Sequence, residues 1–203
     1  MIHFRFLIFY FSKDEFTSQQ QESIMKTIRF LSTAICLAIT FTMFFACSSD
    51  SPSGPSGSSS AYENDEFSVV PPKSWQVTNY SGLKYKIFIG QRENNFTPNI
   101  NFIDEVYNGS LDDYVDLTIK SLKAYISNVE IIYQNSFVTD DNLESRKIIA
   151  ITEQQGYLLR QSQYIFPGKN GLKMVATCTA LASSGEMYDI IFDNSMKTFK
   201  WTK

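Results

Sequence analysis

The sequence predicts an α+β domain built on an antiparallel sheet, spanning residues 61–203. Three observations predict it. Apolar residues recur at three- and four-residue steps from Leu111 to Ile126, as on one face of a helix. Three strand-length segments follow between residues 144 and 181, separated by glycine-bearing turns. A second helical stretch then closes the chain. Strands with one helix mid-chain and one at the end fit this class.

The elements follow in order. "EFSVV" (66–70) reads as a short strand stopped by Pro71-Pro72, because proline cannot donate to a ladder. "SWQVTNY" (74–80) alternates through Trp75, Val77 and Asn79, and Ser81-Gly82 makes a turn. "LKYKIFIG" (83–90) places Tyr85, Ile87 and Ile89 on one face, and "PNINFIDEVYNG" (98–109) does the same for Ile100, Phe102 and Val106. Ser110 is a good helix N-cap, and Asp112, Asp113 and Asp116 crowd the first turns, where the helix dipole favours anions. Leu111, Val115, Ile119, Leu122 and Ile126 form the apolar stripe, widened by Tyr114 and Tyr125.

Residues 128–141 read as a strand and a loop, and residues 144–155 and 157–167 as a hairpin turning near Gly156. "LKMVATCTAL" (172–181) alternates strictly, with Leu172, Met174, Ala176, Cys178 and Ala180 on one face, so the last three strands are expected to form a half-buried antiparallel meander. Ser183 and Glu186 have capping-box spacing for the final helix, whose apolar side is read as Met187, Ile190, Ile191 and Phe192, continued by Met196 and Phe199.

Residues 1–60 read as export and attachment. From Met25, "MKTIRFLSTAICLAITFTMFFAC" has a basic start at Lys26 and Arg29, an apolar core, and small Ala46 before Cys47. Its length is marginal for a membrane-spanning helix, and no Lys/Arg cluster follows to stop transfer. The segment resembles a bacterial lipoprotein signal peptide over 25–46, with "FFAC" as lipobox and Phe44 where such boxes usually carry Leu. That resemblance implies fatty acylation of the Cys47 thiol and cleavage before it. Residues 1–24 look like neither a signal nor a domain and read as a mis-annotated leader, the alternative being a true extension.

Residues 47–60 are then the lipidated Cys47 and a Ser/Gly/Pro tether with a root-mean-square span of roughly 20 Å. Acyl chains contribute about 0.8 kcal/mol per buried CH₂, so more than one gives stable attachment. Ser48 is not an inner-membrane retention Asp, which by resemblance to Gram-negative lipoproteins favours the outer membrane.

Composition limits the chemistry. From Cys47 onward 14 basic and 18 acidic side chains leave a net charge of −4, no footprint for nucleic acid. Cys178 is the one cysteine in the domain, so the fold must rest on packing rather than an internal disulfide. The one histidine, His3, precedes Met25, so a Cys–His or Ser–His pair is not available to the domain. No Walker loop and no G-x-G-x-x-G occurs.

"FSVVPPKSW" (67–75), "PNINF" (98–102), "SLDDYVD" (110–116) and "TFKW" (198–201), in this order, resemble the PsbP-like (PsbP/DcrB-type) family. The likeness covers almost the whole domain. It implies an α/β/α sandwich on a mainly antiparallel sheet, used as an accessory or binding module without a shared catalytic centre. Ser74 stands where the family usually has Gly, and Thr198 where it has Ser, so Ser74 is asked to adopt a backbone shape that Gly takes more easily.

Each candidate group also has a structural reading. Trp75 and Trp201 could form a ligand-stacking platform, but core packing is the stronger expectation. Asp112, Asp113 and Asp116 could hold a cation, yet adjacent helix positions point about 100° apart, and a helix start favours acids anyway. Residues 140–144, "DDNLE", lack the spacing and turn glycine of a calcium loop. Cys178 is expected to face the core as an inert thiol.

No residue is therefore assigned to catalysis, a cofactor or a metal; Cys47 alone is assigned, to lipidation. The expected function is a non-enzymatic, membrane-anchored envelope lipoprotein that binds an envelope protein partner. The alternative is a small-ligand or metal-binding lipoprotein with a pocket between sheet and helix.

Overall fold

A computed structural model describes residues 60–202. The signal peptide, Cys47 and the tether up to residue 59 lie outside the described residues.

Seven strands form one antiparallel sheet: β3 (Gln76–Thr78), β4 (Ile87–Ile89), β5 (Asn99–Val106), β6 (Glu130–Val138), β7 (Glu144–Gln154), β8 (Tyr157–Pro167) and β9 (Leu172–Leu181). Their order across the sheet is β3-β4-β5-β9-β8-β7-β6. Helix α1 (Leu111–Tyr125) connects β5 to β6, and α2 (Gly185–Met196) follows β9. A second sheet, β1-β2-β10, joins Tyr62–Glu63, Phe67–Val69 and Lys200–Trp201. The expected α/β/α arrangement is present, with the small sheet sharing the α2 layer.

Strand alternation sorts the side chains into two cores. Val175, Ile165, Ile148 and Ile103 meet Tyr114 and Val115 of α1. Their sequence neighbours Met174, Ala176, Tyr164, Phe166 and Phe102 meet Tyr188, Phe192 and Met196 of α2. The meander is thus buried on both faces, and β9 has no exposed residue, against the expected half-buried sheet. The cause is position: β9 is the central strand, with a helix layer on each side.

Local chemistry sets the turns and caps. Gln155 and Gly156 both adopt positive φ, the two-residue turn that matches strand twist. The Ser110 hydroxyl accepts the Asp113 N–H at 3.0 Å, and the Asp113 carboxylate accepts the Ser110 N–H, a reciprocal cap. The Ser183–Glu186 box does not form. Residues Ala182–Ser184 make a 3₁₀ turn, and α2 starts at Gly185 with no side-chain cap.

Met187 and Ile190 point outward, 53% and 65% exposed, while Tyr188, Phe192 and Met196 carry the buried stripe. Val106 and Tyr125 are likewise exposed rather than buried.

The Thr198 hydroxyl accepts the Val70 N–H at 2.8 Å and donates to the Ser195 carbonyl at 2.6 Å, tying the chain after α2 to β2. Ser74 sits at φ 68°, in the left-handed region. A side chain there costs about 1–2 kcal/mol, partly offset by the larger unfolded-state entropy of glycine. Ser74→Gly should therefore raise stability by about 0.5 kcal/mol in urea unfolding; a loss of stability would show that the Ser74 side chain is itself needed at this corner.

Candidate functional site

The two tryptophans pack on glycines. Trp75 lies edge-on to Phe192 and Tyr188, and a Cβ on Gly90 would stand 2.8 Å from its ring. Trp201 donates Nε1–H to the Pro167 carbonyl at 2.9 Å, meets Phe199 edge-on, and would be 2.9 Å from a Cβ on Gly168. Both serve packing, as expected. The glycine partners carry no periodic signal in the sequence.

The acidic groups are dispersed. Asp112 pairs with Arg146 of β7 at 2.7 Å, a hydrogen bond that holds its carboxyl below the ordinary aspartate range. Asp113 caps α1, and Asp116 is exposed. Residues 140–144 form a turn in which Leu143 N–H reaches the Thr139 hydroxyl at 3.1 Å. Among the described residues no group of three or more His, Cys, Asp and Glu side chains could hold a metal ion.

A buried polar clasp on the α2 face was not foreseen. Arg160 donates to Asp189 at 2.5 and 2.9 Å, and the Ser162 hydroxyl donates to the same carboxylate at 2.9 Å. Lys147 and the Tyr164 hydroxyl both donate to Asp193, at 2.7 and 2.6 Å. Burial, with the neighbouring Cys178 and Asp193, drives the Tyr164 hydroxyl pKa far upward, so it stays a donor. The Lys147 side chain is only 7% exposed. Sequence offered one faint signal, two aspartates four residues apart on a helix whose other buried residues are mostly apolar.

Cys178 lies beneath this clasp with no exposed surface, and burial pushes its thiol well above the ordinary value.

The α1 face carries a different set. Asn99 and Asn101 of β5, Thr177 and Thr179 of β9, and Gln161 and Gln163 of β8 are all buried. Register places them in two rows, Asn101–Thr177–Gln163 and Asn99–Thr179–Gln161. The Asn101 and Gln163 side-chain oxygens are buried without a hydrogen-bond partner.

No family model matches the chain, and no curated protein matches its sequence. Solved structures do share the fold. One is LpqN, described as involved in cell envelope biogenesis of Mycobacterium tuberculosis; identity is 12%, TM-score 0.54, covering 68% of this chain and 83% of that one. Another is cyanobacterial PsbP (CyanoP) from Synechocystis sp. PCC 6803, at 12% identity and TM-score 0.53, covering 74% and 98%. A third is PA94 of Pseudomonas aeruginosa, a protein of unknown function described as a putative regulator, at 12% identity and TM-score 0.50, covering 70% and 96%. The domain has a PsbP-like fold.

Two outcomes follow from the α2 face. Asp193→Ala strands the buried Lys147 and should cost about 2–3 kcal/mol in chemical denaturation, less than a fully buried pair because Asp193 is a third exposed; a change within about 0.5 kcal/mol would mean the clasp is not formed. The raised thiol pKa keeps Cys178 protonated at pH 8, so Ellman's reagent should label it only on unfolding; rapid labelling of the folded protein would contradict this burial.

Proposed function

We propose that the chain is a lipid-anchored envelope protein whose PsbP-like domain acts as a non-enzymatic module docking an envelope protein partner. On this reading the signal peptide over 25–46 is removed, Cys47 carries fatty acyl chains in the outer membrane, and the tether leaves the domain free to reach its partner. Likeness of fold to LpqN, described as an envelope biogenesis protein, supports an envelope setting. No helix among the described residues is long and apolar enough to cross a membrane; attachment is assigned to Cys47 because of the lipobox-like "FFAC" that ends the apolar segment.

The observation that carries docking is strand β6. It is nine residues long, largely exposed, and paired with β7 on one side only among the described residues. Ile132, Tyr133 and Val138 on it are exposed apolar side chains. An unpaired edge of this length offers a row of backbone donors and acceptors to an extended segment of another protein. The bulge between Ile131 and Tyr133 bends the start of the strand and confines straight pairing to its later half.

Cys47→Ser should move the protein from the membrane to the soluble fraction, and mass spectrometry of the unaltered protein should find acyl chains on Cys47. A photo-crosslinker at Asn135 should capture one envelope protein that a crosslinker at Lys120 on α1 does not. Equal capture from both positions would remove β6 as the docking edge, and an unmodified Cys47 would remove the anchor.

A further inference from the structure

The backbone directions of the β6 edge can be read from its turn. The Thr139 N–H donates to the Leu143 carbonyl at 3.2 Å, so Thr139 faces β7. Backbone groups alternate sides along an antiparallel ladder, so Phe137, Asn135 and Tyr133 also face β7. Gln134, Ser136 and Val138 then aim their N–H and C=O groups away from the sheet. Ser136 agrees with this, because its N–H meets the Asn135 side-chain oxygen at 2.9 Å.

The edge is unguarded. Natural edge strands carry lysine, proline or inward-pointing charge, or are very short. At the other end of the same sheet β3 has three residues. Residues 131–138 of β6 include neither a charge nor a proline. The bulge between Ile131 and Tyr133 leaves residues 133–138 as a straight run. Ile132, Tyr133 and Val138 are 38%, 41% and 47% exposed.

We propose that this edge pairs antiparallel with the same edge of a second copy, about a two-fold axis through Asn135. The proposal rests on the docking reading above and names its partner. A two-fold axis normal to the sheet keeps each side chain on its own face, so it must pass through a residue rather than between two. Centred on Asn135, it sets Tyr133 beside Phe137 of the second copy, on the α2 face that holds Phe137 in the core. Gln134 lies opposite Ser136 of the second copy, and the two exchange both backbone bonds. Val138 reaches Ile132 of the second copy at the bulge. Each exposed apolar side chain of β6 thus gains an apolar neighbour. Axes through Gln134 or Ser136 would instead set Tyr133 or Phe137 against Asn135. At the axis the Asn135 amide, both donor and acceptor, meets its own copy. The Ser136 N–H exchanges the Asn135 oxygen for a backbone carbonyl. Such an interface is isologous and closes at two copies. Its area is small, so pairing in solution is weak, and attachment of both chains to one membrane raises their effective concentration.

The test is sedimentation equilibrium of the full chain in an excess of density-matched detergent. A monomer–dimer equilibrium should appear below about 0.2 mM. Asn135→Lys and Asn135→Asp each bring like charges together at the axis, and each should weaken the dimer at least about tenfold. Mixed in equal amounts, the two variants should restore it. Ser136→Pro removes only an outward N–H, so it should abolish the dimer with the far-ultraviolet circular dichroism unchanged. A monomer at the highest concentration, variants that dimerise like the unaltered chain, or a Lys/Asp mixture no better than either variant alone would overturn the second copy as partner. In that event, a photo-crosslinker at Asn135 that still captures a different envelope protein keeps β6 as a docking edge. Capture of nothing removes both.

Discussion

A sheet covered on both faces gives its polar side chains no bulk water, so each must find a partner inside the protein or remain unsatisfied. That constraint organises the α2 face. Asp189 and Asp193 are one helical turn apart and rise about 6 Å along α2, while Ser162 and Tyr164, which they accept from, are about 6.7 Å apart along β8. The two repeats nearly match, so α2 must run along β8 in the same direction. Shifting the helix by one residue would turn both carboxylates away and strand Arg160 and Lys147 together. Register is thus fixed by charge on this face, while Tyr188, Phe192 and Met196 supply the apolar burial.

The ends of the α2 layer are closed by rings and by the chain termini. Phe199 stacks on Phe166 at 3.9 Å between centroids, with Phe67 at 5.4 Å on it and Trp201 edge-on. These residues lie on β2, β8 and β10 or beside them, so a strand near the start of the domain and its last strand share one aromatic cluster. The antiparallel pairing of β10 with β2, Trp201 opposite Phe67, makes the same junction through backbone. Losing either end of the domain would therefore open the core rather than fray a tail. The described fold begins at β1, in the same layer, so its start lies on the opposite side of the large sheet from the α1 face.

Much of this was legible from local pattern. The α1 stripe, the Ser110 cap, the Gly156 turn and the inward face of β9 follow from periodicity and turn chemistry that act within a few residues. The missed features are long-range. Two-residue strands such as β10 carry too little pattern to see and exist because β2 offers a partner. The buried face of α2 was misread because Met187 and Ile190 are as apolar as its buried residues, and tertiary contact alone decides between them. Ser183 has the right spacing for a cap, but the chain leaving β9 first makes a 3₁₀ turn, which delays the helix. The clasp, beyond its one faint signal, and the polar rows on the α1 face went unseen for a further reason. The clasp joins strands to a helix about 30–45 residues further on, and the rows join β5 to strands about 60–80 residues away, pairings that composition cannot reveal.

The two polar rows on the α1 face can be weighed against the stability of the fold that holds them. An orphan buried acceptor costs about 1–3 kcal/mol, so two cost about 2–6 kcal/mol. Whole domains have only about 5–15 kcal/mol of net stability. Valine or isoleucine would suit strand geometry at these positions and match the frame of Ile103, Val175, Ile165 and Ile148 around them. The fold has already shown, with Asp189 and Asp193, that it can answer buried donors when a helix supplies the acceptors. On the α1 side Ser121 is the helix's buried polar residue, and neither orphan oxygen receives a donor from it. Two acceptors flanking one hydroxyl, neutral and ringed by hydrocarbon, are costly as packing.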